Sequence, residues 1–346
     1  MNSHSIYIHR CLQLARLAGG NTAPNPLVGA VLVCDDKIIG EGFHRVFGQA
    51  HAEVNALADA RARGNKALIP KATLYVNLGP CSHHGKTPPC ADRIISEGIR
   101  KVVIANRDPF PEVSGTGIKK LREAGIEVID DVCREEGRSL NRRFFTFHEK
   151  KRPYIILKFA QSADGFLAPE NITKENRKIS GPITDRLVHK WRSEERSILV
   201  GARTAEIDDP ELTVRLVTGK NPLRIVIDPQ NRLPKELKLF NQQVETLIFT
   251  RTENKIDRKN EWISVGEKEM LPATFDTLYD RKIISILVEG GAYTLQHFFN
   301  AGLWDECRVI TGKKNFGNGI QSPRLSIQPD ETIHSGDDKI DIYYNQ

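Results

Sequence analysis

The spacing of apolar residues in the first half of the chain predicts alternating helices and strands. Apolar positions recur at helical spacing over residues 5–18, and an alanine-rich segment at 51–62 is predicted to form a second helix. Continuous apolar runs predict strands at residues 27–34, 38–43 and 73–78. The patterns further along predict helices at residues 91–97, 117–124 and 132–148, and strands at 101–105 and 127–129. This order predicts a five-stranded sheet covered by helices.

A charged segment that ends in proline, EKKRP at residues 149–153, predicts a linker between two domains. Proline disfavours helical backbone at the residue before it, so the preceding helix is expected to end there. Strands are then predicted at residues 154–160, 197–200, 223–227, 246–250, 283–288 and 306–311, and helices at 184–196 and 292–301. We therefore expect a first domain at residues 1–148, a linker at 149–153 and a second α/β domain at 154–346.

The composition of the 346-residue chain is that of a folded globular protein, with 39% hydrophobic and 27% charged residues. No apolar run is long enough for a membrane span. The N-terminus lacks the basic and apolar segments of a secretory signal, so a cytoplasmic protein is expected.

The chain has a net charge of +6, and its basic residues are scattered rather than arranged in a stripe interleaved with aromatic residues, which argues against nucleic acid as a partner. A mild positive charge does suit small phosphorylated substrates.

The most informative motif combines His51-Ala52-Glu53 with Pro80-Cys81 and Cys90. One histidine and two cysteines can hold zinc by three bonds and leave a fourth position for water, as in a catalytic zinc site. Glu53 follows the histidine by two residues and can shuttle the protons of that water. Zinc-dependent nucleobase deaminases use this arrangement.

Two plainer interpretations of this motif remain open. A structural zinc would need a fourth protein ligand, which His83 or His84 could supply, or the two cysteines could hold no metal. Of the four other cysteines, those at positions 11, 34 and 307 lie in apolar patterns and are predicted to be small core residues.

Asn25 lies between two prolines, directly ahead of a predicted strand. Its amide offers donors and an acceptor that could read the edge of a pyrimidine. The plainer interpretation is an Asn-Pro turn.

A few residues of the second half stand out from their surroundings. Glu289-Gly290-Gly291 separates a predicted strand from a helix, where glycines either let backbone approach a pyrophosphate or simply form a turn. Lys158 lies inside an otherwise apolar strand, which is costly unless it has a charged partner, a ligand or a water-facing edge position. Arg215 could hold a phosphate by a two-pronged contact. No G-x-G-x-x-G motif signals a Rossmann site.

Several segments resemble a known enzyme family. TAPNPLVGA at residues 22–30, GFH at 42–44, HAE at 51–53 and PCSHHGKTPPC at 80–90 resemble the deaminase half of the bifunctional riboflavin-biosynthesis deaminase/reductase family. That similarity runs over residues 5–148. LKFAQSADG at residues 157–165, VGART at 200–204 and DDPELTVR at 208–215 resemble the reductase half of the same family.

The resemblance implies an N-terminal cytidine-deaminase-like domain, with a mixed sheet between helices, and a C-terminal dihydrofolate-reductase-like α/β domain. It implies deamination of a diaminopyrimidinone that carries a ribosylamino 5-phosphate, followed by reduction of the ribosyl group to a ribityl chain. The implied cofactors are Zn²⁺ and NADPH. A homo-oligomer, dimer or tetramer, is implied as well.

The resemblance also assigns roles to individual residues. In the deaminase half, the implied zinc ligands are His51, Cys81 and Cys90, the catalytic residue is Glu53, and the substrate-binding residues are Asn25, His44, His83 and Lys86. In the reductase half, the residues implied to bind substrate are Lys158, Arg192, Asp208, Leu212, Arg215 and Glu289. The residues implied to bind NADPH are Thr204, Asp208, Gly290, Gly291 and Arg251.

Two positions depart from the family's pattern. Gly79 replaces a glutamate ahead of Pro80, which predicts weaker support for the cysteine loop, and Lys178 replaces a tryptophan, which predicts the loss of a stacking contact.

Two other functions remain as alternatives. A nucleic-acid base deaminase, such as a tRNA-editing enzyme with an accessory domain, would carry a Cys-x-x-Cys pair and a basic, aromatic groove. A zinc-stabilised scaffold would close its metal site with four protein ligands.

Overall fold

The computed structural model of the chain describes residues 3–82, 89–110, 115–173 and 176–345. The chain folds into two compact units, residues 1–151 and 152–346, called here the first unit and the second unit. None of the helices in these described ranges combines the length and the apolar character needed to cross a membrane.

The first unit is a five-stranded sheet between helices, as predicted. Its helices are α1 (Ser3–Arg16), α2 (Ala52–Ala62), α3 (Cys90–Ser96), α4 (Thr116–Glu123), α5 (Arg134–Leu140) and α6 (Arg142–Lys150), with 3₁₀ turns at Gly19–Asn21 and Lys66–Lys71. Its strands are β1 (Gly29–Cys34), β2 (Lys37–Phe43), β3 (Thr73–Leu78), β4 (Lys101–Asn106) and β5 (Glu127–Ile129). The sheet order is β2-β1-β3-β4-β5. Strand β1 is antiparallel to both neighbours, and β3, β4 and β5 run parallel.

The central strand β1 shows why this sheet lies between two helical layers. All six of its residues are buried. Because side chains alternate between the faces of a strand, Ala30 and Leu32 pack into one core, which includes α2 and α3, while Val31 and Val33 pack into the other core, against α1. The predicted burial of Cys11, Cys34 and Cys307 is confirmed.

The predicted helix at 132–148 is instead two helices, α5 and α6, which meet at Asn141. This residue has φ −104° and ψ 24°, outside the helical range. Its side chain bonds both backbone groups of Leu27, accepting from the N–H at 2.8 Å and donating to the carbonyl at 2.9 Å. A tertiary contact therefore occupies the position at which the helical pattern is interrupted, and local spacing gave no sign of it.

The second unit is built on a ten-stranded sheet. Its helices are α7 (Pro182–Glu194), α8 (Ala202–Asp208), α9 (Met270–Asp280) and α10 (Ala292–Asn300), with a 3₁₀ turn at Lys238–Phe240. Its strands are β6 (Tyr154–Gln161), β7 (Phe166–Pro169), β8 (Ser197–Gly201), β9 (Leu223–Ile227), β10 (Thr246–Thr250), β11 (Lys255–Asp257), β12 (Asn260–Ser264), β13 (Ser285–Val288), β14 (Glu306–Thr311), β15 (Gly319–Gln321), β16 (Glu331–Ser335) and β17 (Asp338–Tyr344). The large sheet has the order β11-β12-β10-β9-β8-β13-β6-β14-β17-β16, and β7 pairs with β15 separately.

The parallel strands of this sheet bring distant residues to one edge. Strands β12, β10, β9, β8, β13, β6 and β14 run parallel to their neighbours in that series. Their carboxyl ends therefore lie along one edge, the place where open α/β sheets bind ligands. Gly201 ends β8, Glu289 follows β13 and Arg251 follows β10 at this edge. Lys158 of β6 lies one position beyond the residue that pairs with Val288.

Candidate active sites

The sequence-predicted zinc ligands of the first unit come together from three elements. His51 is the N-cap residue of α2, Cys81 lies in the loop after β3, and Cys90 is the first residue of α3. His51 Nδ1 lies 3.2 Å from Cys90 Sγ and 3.6 Å from Cys81 Sγ. Bonds of about 2.0 Å to nitrogen and about 2.3 Å to sulfur place such atoms about 3.5 Å apart across a tetrahedral zinc. The two observed nitrogen–sulfur distances therefore fit a zinc ion.

The surroundings of Cys81 favour the thiolate form of its side chain. The hydrogen bond from Cys90 lowers the pKa of the Cys81 thiol, and a backbone N–H also points at Cys81 Sγ, at 3.4 Å. One thiolate is thus available in the fold itself, and thiolate is the form that binds zinc. Within the part of the chain that the structure describes, no fourth His, Cys, Asp or Glu joins this group. His83 and His84, the candidates for closing a structural site, lie outside the described residues.

Glu53 lies in the first turn of α2, two residues after His51, and is 3% exposed. Burial raises the pKa of its carboxyl group. A raised pKa makes it easier for a carboxyl group to take up a proton, which a proton shuttle must do. The predicted catalytic residue is thus a buried carboxyl group, two positions after the predicted zinc ligand His51.

Asn25 and His44 form a second polar pair beside the zinc ligands. His44 Nδ1 lies 3.1 Å from the carbonyl of Ala50, so this nitrogen is the donor, and Nε2 accepts from the Asn25 amide at 3.3 Å. The His44 ring meets the His51 ring edge-on, with the centroids 5.5 Å apart. The Asn25 amide oxygen thus stays available beside the metal ligands. The other two predicted substrate residues, His83 and Lys86, lie outside the described residues.

Two buried asparagines that sequence reasoning missed support the loop that carries Asn25. Asn77 accepts from the N–H of Gly29 at 2.7 Å and donates to the carbonyl of Leu27 at 2.9 Å, and Asn141 holds Leu27 as described above. The one available signal was Asn77 itself, a polar residue within the apolar strand β3. A buried amide must find partners, and here the partners are the backbone groups of the loop that carries Asn25.

Asp108 is another residue that the sequence did not single out. It accepts a hydrogen bond from the N–H of Phe110 at 2.8 Å, and burial raises its carboxyl pKa to about 7. The backbone N–H of Asp108 would lie 3.4 Å from a Cβ at Gly79, an ordinary contact. The fold therefore has room for a side chain at Gly79, and packing does not explain the glycine.

In the second unit, Lys158, Arg192 and Glu289 form a buried charged cluster. Arg192 donates Nε and Nη2 to the two carboxylate oxygens of Glu289 at 2.8 and 2.9 Å, and Lys158 Nζ lies 3.5 Å from the same carboxylate. Burial alone would raise the pKa of Glu289, but Lys158 and Arg192 outweigh it and lower the pKa to about 2. Arg192 also donates to the carbonyl of Thr213 at 3.3 Å. All three predicted residues are thus brought together.

The water-facing interpretation of Lys158 is wrong. Strand β6 lies between β13 and β14 within the sheet, and the Lys158 side chain is only 14% exposed. Its neighbours on the same face of β6 are Tyr154 and Ile156, which are buried in the core. The charge is tolerated there because Glu289 neutralises it.

The last residue of α8 and the loop after it include three more predicted residues. Asp208 pairs with Arg177 at 2.9 Å, and Arg215 pairs with Glu211 at 2.8 Å, so each carries a partner that the sequence did not reveal. Leu212 is buried but has φ +52°, a left-handed conformation that is uncommon for a branched side chain. Strained backbone of this kind is held by its surroundings and clusters at functional sites.

The predicted NADPH residues are only partly brought together. Thr204 Oγ1 accepts from the N–H of Gly291 at 3.0 Å, which joins the starts of α8 and α10. A Cβ at Gly290 would lie 2.7 Å from Thr294 Cβ, so close packing on α10 already accounts for that glycine. Arg251 is exposed at the end of β10 and donates to the carbonyl of Gly266 at 2.8 Å.

Lys178, the second departure from the family pattern, forms an ion pair with Asp185 of α7 at 2.7 Å. Its backbone carbonyl accepts a hydrogen bond from Lys314 at 2.9 Å. The position is therefore integrated into the fold as a charged residue, which cannot make the stacking contact of the family's tryptophan.

Comparisons with known proteins match both units. Residues 1–106 match the cytidine and deoxycytidylate deaminase zinc-binding region, and residues 153–332 match the RibD C-terminal domain. Among curated proteins, riboflavin biosynthesis protein RibD of Aquifex aeolicus is 42% identical over 93% of this chain and 90% of its own length. The protein of that name from Escherichia coli is 37% identical over 90% of this chain and 88% of its own length.

Two solved structures are similar to this chain over nearly its whole length. A diaminohydroxyphosphoribosylaminopyrimidine deaminase/5-amino-6-(5-phosphoribosylamino)uracil reductase from Thermotoga maritima is 36% identical, with a TM-score of 0.87 over 98% of both chains. RibD of Acinetobacter baumannii is 29% identical, also with a TM-score of 0.87, over 99% of this chain and 98% of its own. The predicted fold class is confirmed, and the similarity runs through both units rather than through a deaminase with an unrelated accessory domain. The chain therefore belongs to the RibD family of riboflavin biosynthesis proteins.

Proposed function

We propose that this chain catalyses two consecutive steps on one phosphorylated pyrimidine. The first is hydrolytic deamination of diaminohydroxyphosphoribosylaminopyrimidine to 5-amino-6-(5-phosphoribosylamino)uracil. The second is NADPH-dependent reduction of the ribosyl group to a ribityl chain. The observation that carries the proposal is the convergence of His51, Cys81 and Cys90 beside the buried carboxyl group of Glu53.

In the first unit, His51, Cys81 and Cys90 would hold Zn²⁺. When bound, the zinc acts as a Lewis acid that lowers the pKa of a water molecule to near neutrality. Glu53 would take the two protons of the attacking water one after the other, passing the first to the pyrimidine ring and the second to the amino group that leaves as ammonia. Burial raises the pKa of its carboxyl group, which favours proton uptake.

Recognition of the pyrimidine falls to Asn25 and His44. Because His44 fixes the amide nitrogen of Asn25, the amide oxygen has a defined direction for a donor on the ring edge. His83 and Lys86, by the family resemblance, would hold the ribose and the phosphate with charge-assisted hydrogen bonds. These two residues complete the proposed substrate site of the first unit.

In the second unit, NADPH supplies the hydride, and the protein positions the two reactants. Gly290 and Gly291 precede α10, and Thr204 of α8 is bonded to the N–H of Gly291. The N-terminus of α10 would suit the cofactor's phosphates, and Arg251 would contact its additional phosphate. Lys158 and Glu289, fixed by Arg192, orient the ribose hydroxyls at the edge of the sheet.

The substrate's own phosphate would lie on the other side of this site. Arg215 supplies the guanidinium group for it, and Asp208 and the buried Leu212 shape the loop that carries Arg215. We further propose a homo-oligomer, dimer or tetramer, in the cytoplasm. All six cysteines are free, which suits a reducing compartment.

The proposal is tested by incubating the zinc-loaded protein with the diaminopyrimidinone phosphate, with and without NADPH. We expect ammonia release in both cases, and NADPH oxidation that begins only as deaminated product accumulates. Supplying 5-amino-6-(5-phosphoribosylamino)uracil directly should remove that delay. Ammonia release from tRNA or single-stranded DNA, but not from the small substrate, would instead support a nucleic-acid deaminase.

A further inference from the structure

The described part of the first unit contains a second group of metal-ligating side chains, apart from the proposed zinc site. His9 of α1, Cys133 at the start of α5 and Glu136 in the first turn of α5 each offer one ligand atom, and these atoms all lie within 4.8 Å of one another. In the residues that the structure describes, this group and the trio of His51, Cys81 and Cys90 are the two such groups found.

The chemistry of the three donors is that of a zinc site. Zinc in proteins is bound by imidazole nitrogen, thiolate sulfur and carboxylate oxygen, and this group supplies one of each. The thiolate of Cys133 and the carboxylate of Glu136 together neutralise the charge of a divalent ion. Calcium and magnesium prefer oxygen ligands, so a donor set with sulfur and nitrogen selects a transition metal.

The spacing between His9 and Glu136 also leaves room for a bridging ion. His9 Nε2 lies 3.8 Å from Glu136 Oε1, which is too long for a hydrogen bond. Across a tetrahedral zinc, with bonds of about 2.0 to 2.2 Å, a nitrogen and an oxygen ligand lie about 3.4 Å apart. The His9 and Glu136 side chains are 45% and 53% exposed, so they can make this small adjustment.

The three residues are held by the fold in different degrees. Cys133 packs partly against the core beneath α1, and its φ of +56° fixes it at the N-cap of α5. His9 and Glu136 reach this cysteine from two neighbouring helices across the surface. A metal bound here would be accessible to solvent and would link α1 to α5, unlike the ion proposed beside Glu53.

We propose that His9, Cys133 and Glu136 form a second, solvent-accessible transition-metal site that takes Zn²⁺ or a similar borderline divalent ion. With three protein ligands, it has a coordination position left for water or an exchanging ligand. It therefore binds more weakly and exchanges faster than a closed four-ligand site.

Cobalt titration of the full-length, zinc-loaded protein tests this site. Wild type should bind one further equivalent of Co²⁺ per chain, with a thiolate-to-cobalt charge-transfer band in the near ultraviolet. Cys133→Ala should lose that equivalent and its band, while Cys34→Ala, which removes a cysteine outside both groups, should keep them. Glu136→Gln should weaken binding by roughly tenfold or more, a loss of about 1.4 kcal/mol per factor of ten, while Glu135→Gln should leave it unchanged.

Ammonia release serves as the folding check, because none of these residues contacts the proposed deaminase site. All four variants should retain the wild-type rate. A charge-transfer band that persists in Cys133→Ala would show that cobalt is exchanging into the Glu53 site, and the proposal would be overturned. The absence of a further equivalent in active wild-type protein would overturn it as well.

Discussion

The two proposed active sites of this chain are assembled in opposite ways. In the first unit, the metal ligands and the proton shuttle come from short motifs at the starts of two helices and the end of one strand. In the second unit, the charged cluster combines Lys158 of β6, Arg192 of α7 and Glu289, which follows β13. Lys158 and Glu289 are more than a hundred residues apart in the sequence. The first site is local in sequence, and the second exists only because parallel strands share an edge.

The two sites also differ in how their charges are balanced. The sulfur and nitrogen donors of the first site converge on a point that a divalent ion would occupy. In the second site the charges are partly balanced within the fold itself, since Glu289 is paired with both Lys158 and Arg192, which leaves one positive charge in excess. Changes to the first site should therefore mainly affect chemistry, whereas changes to the second should affect both chemistry and folding stability.

The largest expected effect is on deamination. Glu53→Gln keeps the size of the side chain but removes the group that moves protons, so we expect kcat for ammonia release to fall by about 10²- to 10⁴-fold. Zinc content, measured by elemental analysis, should stay at the wild-type level because Glu53 is not one of the converging donors.

The matching control for this variant is the second reaction. Reduction of supplied 5-amino-6-(5-phosphoribosylamino)uracil should proceed at the wild-type rate in Glu53→Gln. If ammonia release were intact, Glu53 would not be the proton shuttle. If zinc were lost together with activity, the role of Glu53 would be to hold the metal.

The second largest effect is on the stability of the second unit. Glu289→Gln leaves Lys158 and Arg192 without a counter-charge in a site where both are less than 15% exposed. Breaking a buried pair in this way costs about 3–5 kcal/mol of unfolding free energy. The three tryptophans of the chain, at 191, 262 and 304, all belong to the second unit, so their fluorescence during urea unfolding reports this unit alone.

Glu211→Gln is the matched control for that measurement. It also removes a carboxylate that pairs with an arginine, but the pair with Arg215 is much more exposed, at 36% and 49%. Exposed pairs contribute about 0–1 kcal/mol. Equal losses in the two variants would contradict the proposed difference between a buried cluster and a surface pair.

Sequence spacing was sufficient for the first site and insufficient for the second. His51, Cys81 and Cys90 lie in compact motifs, and the strand at Thr73–Leu78 that leads to Cys81 has the predicted bounds. The pairing of Lys158 with Glu289 depends on which strands become neighbours and in what register, information that no local window contains. The sequence could only show that a lysine inside an apolar strand needed a partner.

Some helices and strands were not predicted because their own residues give a weak or misleading local signal. Helix α9 contains Pro272, which tends to break helices, but here proline lies in the first turn, where no intrahelical partner is lost. Strands β11 and β16 lie at the two edges of the sheet and are largely exposed, so they lack the apolar run that marks a buried strand. Edge strands are recognised through their neighbours rather than through their own residues.

A pH titration should sharpen the electrostatic contrast. The pKa of Glu289 is lowered from its ordinary value of 4.5 to about 2 in the fold. The stabilisation linked to this shift is therefore complete above pH 4.5 and is lost as the pH falls towards 2. The free energy of unfolding of the wild type, followed by tryptophan fluorescence, should decrease over this pH range. Glu289→Gln should not show this part of the decrease. Parallel curves for the two proteins would contradict the charge pairing of Glu289.

The smallest expected effect concerns the support of the substrate-reading loop. Asn141→Ala removes two hydrogen bonds to Leu27 at the junction of α5 and α6, and we expect a loss of about 1–3 kcal/mol because the partly buried Leu27 N–H is left unpaired. Because the same loop carries Asn25, KM for the deaminase substrate should rise more than kcat falls, with zinc content unchanged. Asn65→Ala removes a comparable bond, to the carbonyl of Ile39 at 2.9 Å, away from that loop. It should lower stability without changing KM, and a similar rise of KM in both variants would show that Asn141 acts only through overall stability.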